Sequence, residues 1–112
     1  METIDWNDFE KIDIRVGTIL EAIEFPKARK PAYQLTIDFG SGLGLKKSSA
    51  QITKLYSIES LKGQQVIAVV NFLPKNIAGF ISECLVLGIY DENNDVVLLQ
   101  PQTTVSNGLK IG

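Results

Sequence analysis

Apolar residues recur at every second position over several stretches of the chain, the period expected of strands with one face buried. Tyr33, Leu35, Ile37 and Phe39 alternate with Gln34, Thr36 and Asp38, the cleanest such run. Ile12, Ile14 and Val16 alternate with Asp13 and Arg15 before it. Gly17 interrupts that first strand, and Ile19, Ile23 and Phe25 stay on its apolar side only if the chain bends, so a bulge or sharp bend is expected at Gly17. Leu45 to Ile52 is a polar strand or loop with small residues, Gln65 to Phe72 a fourth strand, and Ser82 to Tyr90 a fifth. Val96 to Leu99 and Leu109 to Ile111 are further short apolar pieces beyond turns at 91–95 and 106–108. Two helical turns are predicted. Trp6 to Phe9 takes its cap from Asp5 or Asn7 and covers an end of the core; Ser57 to Gly63 takes its cap from Ser57, faces Ile58 and Leu61 inward and stops at Gly63.

Three strands, a short helix and two more strands make an all-β chain with the order of the OB-fold, a five-stranded Greek-key barrel. The short helix falls between strands 3 and 4, and extensions remain at both ends. The chain's 112 residues read as one domain, 1–112. The apolar tail pieces need burial, either against the barrel's own edge or across a homodimer. OB-folds bind on strands 2 and 3 and on the loops after strands 1 and 4. Here those loops are 26–31, with two prolines around three cations, and 73–81. The second is long: about ten residues join two core strands where a tight hairpin needs two to five. Gly40-Ser41-Gly42-Leu43-Gly44 faintly suggests a dinucleotide loop, but Leu45 stands where a further glycine is required and no amphipathic helix follows, so it reads as a hairpin turn.

Composition narrows the chemistry. With no histidine, Ser-His-Asp and Cys-His catalysis and histidine metal ligands are excluded, and a lone Cys84 excludes disulfides and thiolate clusters. No paired carboxylates stand in a glycine- or aromatic-rich turn, so neither catalysis nor a metal or other cofactor is expected. No apolar run reaches the length of a membrane span and the acidic N-terminus lacks a signal-peptide pattern, so a cytoplasmic protein is expected, with Cys84 a buried strand thiol. The net charge of −2 conceals an uneven distribution. From Pro26 to Ser82 eight cations oppose Asp38 and Glu59, a local +6, while the flanks carry three cations against eleven acids. A basic middle on an acidic chain offers a positive face to a polyanion, although scattered, solvated lysines give the same count.

Several motifs resemble one family. Lys11-Ile12-Asp13-Ile14-Arg15-Val16-Gly17 resembles the opening of the tRNA-binding domain found at the C-terminus of many methionyl-tRNA synthetases, in free-standing tRNA-binding proteins and in the endothelial monocyte-activating polypeptide. The stretch from Asn71 to Leu85, NFLPKNIAGFISECL, resembles that family's second signature. Arg29-Lys30-Pro31-Ala32-Tyr33, Lys47 to Thr53, Val66 to Phe72, Ile77-Ala78-Gly79-Phe80 and Val97-Leu98-Leu99 resemble its CsaA-like, secretion-chaperone-like members. The resemblance covers nearly the whole chain. It implies an OB barrel in a homodimer with the terminal extensions at the interface, tRNA as a partner, and for CsaA-like members a role in protein export, with unfolded or precursor polypeptides and the export machinery as partners. Departures exist: this chain has Ala28-Arg29-Lys30-Pro31 where the synthetase type has Ala-Asp-Lys-Leu, and Asn76 follows Lys75 where many relatives have a second cation.

The residues expected to meet tRNA are Arg15, Arg29, Lys30, Lys46, Lys47, Ser48, Ser49, Asn71, Lys75 and Ser82. Those expected to meet polypeptide are Phe72, Ile77, Phe80 and Ile81. Lys46 and Lys47 are adjacent, so only one faces a groove. Asn71 reads equally as a ligand contact, carried over from the family's matching Asn, or as a cap on loop backbone groups. Arg15 reads equally as a surface ion pair, Phe80 as a base-stacking ring or a core plug, and Tyr33 as core.

Overall fold

The structure is a computed structural model that describes residues 1–112. Its centre is a five-stranded antiparallel sheet of order β3-β2-β1-β4-β7, built from β1 (Ile14–Glu24), β2 (Tyr33–Asp38), β3 (Leu45–Ala50), β4 (Gln65–Val69) and β7 (Leu85–Val86). β1 is the hub because it serves two partners: Ile14 to Thr18 pair with β4, and Thr18 to Glu24 pair with β2. The inward side chains of β2, namely Tyr33, Leu35 and Ile37, with Phe39 just beyond, are all buried, as their alternation requires. They meet Val66, Ala68 and Val70 from the β4 side and Leu61 from α3 (Ile58–Leu61) in one core. Ser57 caps α3, reciprocally with Ser60.

The barrel closes by isolated backbone and side-chain hydrogen bonds where a regular ladder is missing. The Glu83 amide donates to the Lys47 carbonyl at 2.7 Å, the Lys47 amide to the Glu83 carboxylate at 2.9 Å, and the Ser49 amide to the Ser82 hydroxyl at 3.0 Å. The Ser48 hydroxyl donates to the Cys84 carbonyl at 2.9 Å.

Four expectations change. The bend in β1 lies at Leu20, where the register with β2 shifts between Ile19 and Glu21, and not at Gly17. Gly17 faces the core, and a Cβ there would lie 2.6 Å from Ile37 and 2.7 Å from the Phe39 ring, so the missing side chain makes room for theirs. The phase of β1 follows from this: Gly17 and Ile19 point inward, while Val16, Ile67 and Val69 are buried outside the central core cluster. The fourth strand ends at Val69, short of Phe72, and the fifth is split into β6 (Phe80–Ser82), β7 and β8 (Gly88–Tyr90). The gaps fall at Glu83-Cys84 and at Leu87, and β8 opens on Gly88 because it lies so close to β9 (Val96–Leu98) that a Cβ would sit 2.4 Å from Val96. α1 (Trp6–Glu10), capped by Asp5, buries nothing; Trp6 and Phe9 pack on each other at 5.4 Å, and Trp6 is 63% exposed.

The glycine-rich stretch after β2 is a hairpin connection containing one helical turn, α2 (Gly40–Leu43), closed by the Phe39 amide on the Gly44 carbonyl. Both tail pieces cover their own barrel. β9 pairs with β8 and buries Leu98, and the segment 108–111 hydrogen-bonds along the first residues of β1. No helix is long and apolar enough to cross a membrane.

Candidate nucleic-acid interface

Strand register builds the floor of a groove. Because Tyr33, Leu35 and Ile37 face inward, Gln34, Thr36 and Asp38 face out. Their cross-strand partners are Ile23 and Ser49 for Gln34, Glu21 and Lys47 for Thr36, and Thr18 and Leu45 for Asp38. The long connection after β4 proves to be a hairpin of its own. β5 (Lys75–Ile77) pairs with β6 through a two-residue turn, Ala78-Gly79, with φ of 49° and 88°. Positive φ at both positions marks a type I′ turn, the one whose twist suits a hairpin. The Asn76 side chain accepts the Gly79 amide at 2.8 Å and braces it. Ser82 fastens the hairpin to β3 through the Ser49 amide, and Phe80 packs edge-on against buried Phe25, their rings 5.4 Å apart. The hairpin is thus one wall, and the loop after β1, which begins at Phe25, is the other. Between them lies a cleft of about 430 Å³ bounded by Phe25, Pro26, Lys27, Gln34, Gly79 and Phe80.

Lys47 is the exposed member of its pair and lies on the outer face, whereas Lys46 is half-buried and shares the inward phase of Ser48 and Ala50. Lys75 stands opposite Ser82 on the hairpin. Arg29 borders a hollow of about 560 Å³ beside Pro31, Tyr33 and Thr53, and Lys30 borders a different one with Lys54, Asn94 and Asp95. The chain's two ion pairs are Lys11–Asp8 and Arg15–Asp13, so none of the eight cations between Pro26 and Ser82 has a carboxylate partner.

Other expected contacts are occupied by the fold. Ser48 is buried, its hydroxyl committed to the Cys84 carbonyl, which leaves it no surface for a ligand. Asn71 donates to the Lys11 carbonyl and accepts the Asp13 amide, the cap role, so it pins the N-terminal segment to the end of β4. Arg15 chelates Asp13 and donates to the Gly108 carbonyl at 2.9 Å, tying the tail to β1. The hydrogen bond from Arg15 holds the Asp13 carboxyl below its usual range and raises the guanidinium in turn. Tyr33 is core, its hydroxyl donating to the Tyr56 carbonyl, and burial raises its pKa. Cys84 is buried, though it lies between strands, and burial pushes its thiol up to about 11.

Of the apolar set, Phe72 and Ile81 are exposed, while Ile77 and Phe80 are half-buried. Sequence reasoning missed Lys27 and Gln34 as groove residues and Leu73, 91% exposed, beside Phe72. Gln34 was findable: it is an outward position of the cleanest strand, next to the proline-flanked loop. No group of three or more Asp, Glu, His or Cys side chains is arranged to hold a metal ion.

Residues 14–110 match the model of a family described as "Putative tRNA binding domain". The chain is 34% identical over 110 residues to a methionine–tRNA ligase of Parabacteroides distasonis, covering 98% of this chain and only 16% of the ligase. Among solved structures, the chaperone CsaA of Bacillus anthracis is 56% identical with a TM-score of 0.93, covering 99% of this chain and 100% of that one. The CsaA chaperone protein of Picrophilus torridus is 53% identical, also with a TM-score of 0.93, covering 98% and 100%.

Proposed function

The chain belongs to the tRNA-binding domain family, and from that premise we propose that its groove binds folded tRNA and catalyses nothing. The observation that carries this reading is the set of unpartnered cations. Lys27 lines the cleft, Lys47 lies on the outer face of β3 and Lys75 on the hairpin, and none of the three forms an ion pair with a carboxylate. A duplex is read mainly by shape and backbone, so a modest number of free cations over a rigid floor suffices. Lys47 and Lys75, with Lys27 added, are the primary contacts. Arg29, Lys30 and Lys46 contribute from outside the groove, and Ser49 and Ser82 position its floor and wall. Titration of wild type and charge variants with folded tRNA at several salt concentrations tests the proposal.

A second reading is favoured by the exposed apolar side chains near the hairpin: Phe72 at 57%, Leu73 at 91% and Ile81 at 48%. Solved relatives more than half identical to this chain are described as chaperones. On this reading the groove mouth holds unfolded or precursor polypeptide for delivery to export machinery in the cytoplasm. Suppressed aggregation of a denatured client, insensitive to moderate salt and lost in a Phe72→Ser/Leu73→Ser double variant, supports it. Equal suppression by that variant contradicts it. A homodimer belongs to both readings.

A further inference from the structure

We propose that the cleft between the loop after β1 and the β5–β6 hairpin takes a single unpaired base of the bound RNA, with a purine preferred, and that Gln34 hydrogen-bonds its edge. The inference rests on the tRNA reading above and assigns it a subsite. Three features converge there. Phe80 offers a half-buried ring already braced by Phe25 at 5.4 Å, so little freedom is lost when a base stacks on it. The Gln34 amide lines the cleft and makes no intramolecular hydrogen bond, so its donors and acceptor are open to a ligand. Lys27, without an ion-pair partner, stands at the same cleft for the adjoining phosphate.

The volume, about 430 Å³, suits one nucleotide and not a duplex. A stacked base in an open cleft leaves its edge to the floor, where Gln34 stands between Ile23 and Ser49. An amide presents one donor beside one acceptor, a pattern that the free edge of any unpaired base can meet, so Gln34 adds affinity while ring size sets the preference. A purine covers more of the Phe80 ring than a pyrimidine does. A tRNA carries unpaired bases in its loops and at its end, so shape recognition and base capture are compatible.

The experiment titrates wild type, Gln34→Ala, Phe80→Ala and Phe80→Tyr with ten-nucleotide oligo-A, oligo-C and oligo-U, and with folded tRNA, at one low salt concentration. Wild type is expected to prefer oligo-A, and unlabelled tRNA to displace it. Gln34→Ala, on the outer face of β2, should fold normally and weaken all three oligonucleotides. Phe80→Ala should weaken all three oligonucleotides by about fivefold to a hundredfold. Phe80→Tyr should retain binding, which separates a lost stacking surface from a disturbed hairpin. If tRNA binds while the oligonucleotides do not, or if they bind Gln34→Ala and Phe80→Ala as well as wild type, the cleft is no base site although the tRNA reading stands. If wild type binds neither tRNA nor oligonucleotide, the premise itself fails.

Discussion

Asn71 donates to the Lys11 carbonyl at 2.7 Å and accepts the Asp13 amide at 3.0 Å, so one donor and one acceptor of its amide go to the fold. From sequence it was equally a ligand contact, because an Asn at a strand end serves either use and only the return of the N-terminal segment decides between them. Asn71→Ala should therefore cost about 1–2 kcal/mol of stability in urea unfolding, with tRNA affinity and salt slope unchanged. A large loss of affinity at unchanged stability would return it to the site. Cys84 makes a pH prediction. Burial raises its thiol from 9.0 to about 11, so folding disfavours the thiolate. Its contribution is fully present below pH 9 and is lost as pH rises through 11. Between those limits wild type should lose roughly 2–3 kcal/mol more than Cys84→Ala. Parallel loss in both proteins would show that the folded-state thiol is not raised.

At the scale of elements, β2 was legible residue by residue, because every inward position is apolar and every outward one polar. β1 was legible as a strand but not in phase. A break in alternation shows that a residue is extra without showing which one, and Gly17 drew the assignment that belongs to Leu20. Gly17→Ala tests the packing role. Its Cβ would lie 2.6 Å from Ile37 and 2.7 Å from Phe39, an overpacking that costs about 1–3 kcal/mol. Thermal unfolding should show a clear drop in Tm; an unchanged Tm would mean that the core yields freely there. The β5–β6 hairpin was legible only as a long loop. Three-residue strands are too short to show a period, and Ala78-Gly79 lacks the Asn-Gly or Asp-Gly signal of a type I′ turn.

For the whole molecule, the order of strands and helices was enough to give the barrel, whereas only three of the eight cations of the basic middle, Lys27, Lys47 and Lys75, fell around the cleft. The tail was not decidable, since an apolar segment covers its own edge or another chain's equally well. Here it covers its own, so removing 107–112 would take away the hydrogen bonds that the tail makes to the first residues of β1 and is no clean test of association. The homodimer proposal now rests on the outer face of the β8–β9 hairpin, where Ile89 and Val97 pair at 56% and 39% exposure. Sedimentation at micromolar concentration should give a dimer that Ile89→Glu dissociates without unfolding. A monomeric wild type, or an unaffected dimer, would rule out that face.

The most direct measurement is the salt dependence of folded-tRNA binding by wild type, Lys47→Ala and Lys75→Ala. If Lys27, Lys47 and Lys75 each displace a condensed cation, with at most one further contact, the log–log slope should be about −2 to −4. Each single variant should make it shallower by about one. A flat dependence, or variants that superimpose on wild type, would contradict an RNA-binding groove.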